Sequence, residues 1–115
     1  MRQADVQAPF RLLAIHRLGK SLLSQSPESA DFQEGLAKVL LNGNASEEEG
    51  KIAFLYLLLG SAKLTQSSRH AIIEYASDVR HADVVAQKES AHSILRRSMM
   101  AILREMEEAR AKRTD

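Results

Sequence analysis

Two carboxylate–histidine pairs stand at helical spacing in the C-terminal half, Asp78-x-x-His81 and Glu89-x-x-His92. Residues three apart on a helix share a face, so each pair could offer an oxygen and an imidazole nitrogen to one ion. Two Glu-x-x-His motifs plus two further inward carboxylates build a di-iron centre in helix bundles. Here one carboxylate is Asp, and no further inward Glu is apparent. On one continuous helix His81 and His92 would also be separated by about 16 Å of rise. His70 and Glu74, one turn apart, are the remaining pair of this kind. Solvated surface pairs explain all three better than a metal site, so neither a metal nor another cofactor is expected. The chain has no cysteine, which removes thiolate ligands and a thiol nucleophile. Serines are numerous, but none lies in a Gly-x-Ser-x-Gly elbow. Asn42-Gly43-Asn44 reads as a turn, not as a phosphate-cradling loop. No catalytic residue is assigned, and the chain is not expected to be an enzyme.

The other chemistry-bearing cluster is basic. Arg96-Arg97 is followed by Arg104 and preceded by Lys88, His92 and Ser93. Small polar residues at a helix start can meet base edges, while arginines reach phosphate or guanine. Ala82 to Lys88 fits the first helix of a helix-turn-helix, with Ala86 allowing close packing of the second. The competing reading is a solvated basic face on a bundle helix.

These residues need helices to hold them. All five glycines and both prolines lie in the first 60 residues, and no stretch alternates apolar and polar as a half-buried strand does. The chain therefore reads as all-α. A first helix is expected from about Pro9 to Ser24, with an apolar stripe from Phe10 to Leu23. Ser26, Pro27 and Glu28 form the start signal of a second, which carries Phe32, Leu36 and Val39 to Leu41. It should stop at Asn42-Gly43-Asn44, where Gly43 permits a positive φ. Ser46 to Glu49 reads as a capping box, with the Glu49 side chain reaching back to the cap. The run Ile52–Leu59 is apolar on every side, the mark of a helix in the middle of the fold. Thr65 to Ser68 offers caps for a helix carrying Ile72, Ile73, Tyr75 and Val79. Beyond it lies either one helix of nearly 50 residues or three shorter ones with turns near Asp78 and Glu89. The second is favoured, because it uses the caps and matches ordinary helix lengths. Leu95, Met99, Ile102 and Met106 recur at steps of four, three and four, a seam for the core or for a second copy.

Length and charge bound the rest. At 115 residues and 12.8 kDa the chain is one helical domain, with 1–8 and 110–115 expected to fray. So short a chain buries a modest fraction of its surface, and pairing with another copy would help. Residues 1–60 carry a net −1 and residues 61–115 a net +2, so any nucleic-acid contact must come from a local patch. No apolar run is long enough to span a membrane, and with no apolar h-region at Met1 to Asp5 a signal peptide is not expected. A cytoplasmic, bacterial protein is the default expectation.

Several positions also match a known family. Val39-Leu40-Leu41 precedes a Gly-containing turn and Ser46-Glu47. Phe54, Leu57, Gly60, Ser68-Arg69, Ile73, Tyr75, His81, Val85, Lys88 and Leu95 follow. In these positions, over roughly residues 39–99, the chain resembles the pap-type regulators of fimbrial (adhesin-biosynthesis) operons. It departs from their pattern at Val79-Arg80, where the family has a Gly pair, and at Ala91 to Ser93, where the family is rich in Asn and Gly. The resemblance implies an all-α, oligomerising transcriptional regulator that binds DNA through residues near 81–97.

The expectation is a compact bundle of about five to six helices with a helix-turn-helix in its C-terminal half. It would act as a self-associating regulator of double-stranded DNA, with His81, Lys88, His92, Ser93, Arg96 and Arg97 at the DNA. The alternative is a helical adaptor, chaperone or inhibitor that binds a protein partner through apolar helix faces, which the Met-rich seam and the near-neutral charge favour.

Overall fold

The computed structural model describes residues 7–24, 29–60 and 64–113, and every regular element in them is helical. Six α-helices follow in order: α1 Ala8–Leu23, α2 Ser29–Leu41, α3 Glu47–Leu59, α4 Gln66–Ser77, α5 Ala82–Ala86 and α6 Ala91–Arg113. Short 3-10 turns, Val79–His81 and Lys88–Ser90, flank α5. The all-α bundle expected from the sequence is the fold. The start signal at Ser26 to Glu28 lies outside the described residues, as do 1–6 and 114–115. α6 is helical through Arg113, into the charged tail expected to fray.

α3 is the centre. Ile52 to Leu57 are all buried, and α1, α2, α4 and α6 all pack against it. A helix without a polar face has no other stable place in water, since each fully buried Leu, Ile or Phe contributes about 1.5–3 kcal/mol. Paired residues give the helix directions. Arg11 meets Glu49, His16 meets Tyr56, and Leu22 lies against Gly60, so α1 and α3 run parallel. Tyr75 of α4 lies against Gly50 and Phe54 of α3.

The caps form, with two corrections. Ser46 Oγ accepts from the Glu49 N–H at 3.1 Å, and Thr65 Oγ1 accepts from Ser68 N–H at 3.2 Å. The Glu49 carboxylate, however, does not reach back to the cap. It is buried and accepts from Arg11 Nε at 3.0 Å, because an ion pair to α1 satisfies a desolvated carboxylate better than a second cap bond. The turn after Leu41 does not use a positive φ at Gly43. Asn42 closes it instead, its Oδ1 accepting from Asn44 N–H at 2.9 Å and its carbonyl from Ala45 N–H at 3.1 Å. The loop before α4 is tied down by buried Gln33, whose Oε1 accepts from Thr65 N–H at 2.9 Å.

The seam on α6 turns toward the chain's own core at Leu95 and Ile102. Leu95 and Ile102 are buried, and Met99 and Met106 are half-buried. Its exposed apolar neighbours are Met100 and Leu103.

Gly19 sets the distance between α1 and α3. A Cβ there would land inside the Tyr56 ring. Gly19→Ala is therefore expected to lower stability by about 1–3 kcal/mol through overpacking, although alanine favours a helix by about 1 kcal/mol. Gly43→Ala, with no atom within 4 Å of the added carbon, is the control and should cost nothing in packing. Urea denaturation reads both, and a Gly19→Ala midpoint at or above the native one contradicts the close approach.

Candidate functional site

The C-terminal half begins with a break. Asp78 leaves the helical region at φ −79°, ψ 123°, and its Oδ1 accepts from Arg80 N–H at 2.9 Å. The Arg80 guanidinium grips the same carboxylate, Nη2 to Oδ2 at 2.6 Å, and holds it well below the usual carboxylate range. Arg80 is thus engaged within the protein. His81 follows, anchored inward. Its Nδ1–H donates to the Tyr75 carbonyl at 2.8 Å, and its ring stacks on Tyr75 with centroids 3.7 Å apart. Tyr75 in turn stacks on buried Phe54 at 4.6 Å. Of the six residues expected at DNA, His81 is the one built into a structural stack.

The other five face solvent. Lys88 lies in the turn before α6, and His92, Ser93, Arg96 and Arg97 occupy its first two turns. Among the described residues none of the three cations has an acidic partner. A helix, a turn and a helix do follow one another from Ala82 to Arg97. The first of them is only five residues long and rests chiefly on the 3-10 turns at its ends, with Val84 and Val85 half-buried against the core. So short a helix gives α6 little of the bracing that the first helix of a helix-turn-helix supplies. Arg97 also borders an open groove of about 600 Å³ between α6 and the start of α3, shared with Glu48, Lys51, Ser90 and Ser98.

What positions α6 is a buried polar joint absent from the expected site. His16 of α1 is completely buried. Its Nδ1 lies 2.6 Å from the Tyr56 hydroxyl and its Nε2 2.9 Å from Ser98 Oγ, linking α1, α3 and α6. Burial pushes the Tyr56 phenol up to about 12, so it keeps its proton. Among the described residues His16 is the sole partner of that hydroxyl, and a buried donor must donate. Tyr56 O–H therefore donates to Nδ1, which leaves the hydrogen of the neutral ring on Nε2, donating to Ser98 Oγ. The distances resemble a Ser–His nucleophile, but the tautomer is the opposite one. A base that activates serine must present a bare nitrogen to it. Ser98 is here an acceptor, and the joint is structural.

Among the described residues neither His70 nor Asp78 joins a metal cluster. His70 Nε2 faces Glu74 at 3.1 Å on an exposed surface, and among the described residues no group of three or more His, Cys, Asp or Glu could hold an ion. No helix among these residues is long and apolar enough to cross a membrane. Comparison with protein families, characterised proteins and solved structures found no match to the chain. The resemblance to fimbrial operon regulators rests on its matching residues alone.

The joint predicts a pH dependence. Burial, with the nearby Lys20 charge, lowers the His16 pKa from 6.5 to about 4. The unfolded chain takes up the proton first as pH falls, so the full stability is present above about pH 6.5 and is lost between there and about pH 4. The loss attributable to His16 is of order 3 kcal/mol. His16→Gln should flatten this part of the stability–pH curve, measured by denaturation from about pH 7 to 4. An unchanged slope contradicts a buried neutral His16.

Proposed function

We propose that the protein is a self-associating regulator that holds double-stranded DNA through the start of α6, acts in the bacterial cytoplasm and catalyses no reaction. The observation that carries this reading is that, among the described residues, Lys88 in the turn before α6 and Arg96 and Arg97 in its second turn have no acidic partner, beside exposed His92 and Ser93. Cations without internal partners are free to replace the counterions of phosphate, and a helix start favours an anion through its unsatisfied N–H groups. With so short an α5, phosphate contacts carry more of this binding than base reading does. His81, held against Tyr75, serves the reading by fixing the path of the chain into α5.

A second reading has its own support. Ile73 and Val79, at the end of α4 and just past it, are among the most exposed large apolar side chains. An adaptor that grips a protein partner there would need no DNA at all.

A labelled duplex of random sequence separates the two readings. Two to three phosphate contacts per protomer, according to whether a second copy engages Arg96, predict that log K falls with log salt at a slope of about −2 to −3 per protomer. The double variant Lys88→Gln, Arg97→Gln should weaken binding at least tenfold at about 50 mM salt and reduce the slope by about 2 per protomer. Fluorescence anisotropy gives both numbers. No binding of the native protein at that salt, or an unchanged affinity in the variant, overturns the DNA reading.

A further inference from the structure

Beside the seam that packs inward, α6 carries a second stripe turned away from the bundle. Arg96, Met100, Leu103, Glu107 and Arg110 follow at steps of four, three, four and three, so they stand above one another on one face. Met100 is 56% exposed and Leu103 45% exposed, high values for adjacent apolar side chains on a helix that already has a buried face. Arg96 and Glu107 bracket them, both exposed, and neither has an ionic partner among the described residues.

We propose that this stripe pairs with the same stripe of a second copy of the chain, the two α6 helices running antiparallel across a two-fold axis between Ala101 and Ile102. In that register Met100 faces the partner's Leu103, and Leu103 faces the partner's Met100. Arg96 faces the partner's Glu107, and Glu107 the partner's Arg96. Arg110 meets the partner's Ser93, which leaves no like charges opposed. A parallel arrangement would set Arg96 on Arg96 and Glu107 on Glu107, so the charges select the antiparallel one. A two-fold interface must be self-complementary, and an apolar centre with opposite charges at its two ends meets that condition. Arg97 and Arg104 stand roughly a quarter of a turn round the helix from the stripe, so pairing leaves them in solvent.

The pairing deepens the self-association in the proposed function and engages Arg96 and Ser93, so in the dimer the phosphate contacts fall to Lys88, Arg97 and the helix start. Two apolar side chains and one charge pair at each end make an interface below the standard size, so the expected dimer has a Kd of about 10–100 µM.

Sedimentation equilibrium of the full chain without DNA tests it, at about 5 to 500 µM, a range that spans the expected constant. The native chain should pass from monomer to dimer. Arg96→Glu and Glu107→Arg each oppose like charges at both ends and should weaken the dimer at least tenfold. The double variant Arg96→Glu, Glu107→Arg restores the opposite charges and should return to within about threefold of the native constant. Both positions are exposed, so circular dichroism should show native helicity in all three variants. A native chain that stays monomeric throughout, single variants with unchanged association, or a double variant as weak as the singles overturns the pairing. Arg97→Gln should leave this equilibrium unchanged while it weakens DNA binding, so failure of one reading is visible apart from the other.

Discussion

The Tyr56 hydroxyl cannot be buried without an acceptor, and that requirement organises the molecule. Tyr56 sits on the central helix, its ring against the bare backbone of Gly19 and its hydroxyl 2.6 Å from His16. Meeting the need of the phenol fixes the imidazole tautomer, and the tautomer then supplies a hydrogen to Ser98 at 2.9 Å. One chain of donors and acceptors thus crosses from α3 through α1 to α6. In a low-dielectric interior such a chain is costly to break, because each lost partner orphans a buried polar group. α6 bears the cationic face and the exposed apolar stripe, so the placement of both follows from this joint.

A second anchor acts where the chain turns back from α4. Phe54, Tyr75 and His81 form a stack from the core to the surface. It holds a segment that the hydrophobic core reaches only through Val84 and Val85. Asp78, clamped by Arg80, breaks the helix just before it. The stack holds the chain before α5, and the histidine joint holds α6 after it. The joint also shows how Ser–His distances arise with the ring hydrogen facing the serine rather than a bare nitrogen. What decides the matter is which nitrogen carries the hydrogen, and the residue on the far side of the ring sets that.

The helices were legible in the sequence because their signals are local. An apolar run with no polar face marks α3, Thr65 and Ser46 mark helix starts, and Asp78 marks the break that divides the C-terminal half. The exposed cations at the start of α6 were legible for the same reason. Longer-range pairing was not. Tyr56 and Ser98 lie 40 and 82 residues from His16, and nothing in their spacing connects them. The available signal was a histidine within an apolar stripe, with a glycine three residues on that leaves room for a ring. Glu49 shows the same limit, since its capping-box position is real but Arg11 takes its carboxylate. The seam at Leu95, Met99, Ile102 and Met106 shows another. Heptad spacing states that a stripe is buried, not whether its own bundle or a second copy covers it.

The state of His16 tests the account most directly. Long-range nitrogen–proton correlation by NMR at about pH 7 distinguishes the two neutral tautomers and the cation. The joint requires a neutral ring with its hydrogen on Nε2 and a bare Nδ1 facing Tyr56. A hydrogen on Nδ1 would make Ser98 the donor and turn the joint into a nucleophile pair, and an imidazolium would remove the joint altogether. Either result would contradict the structure's central link.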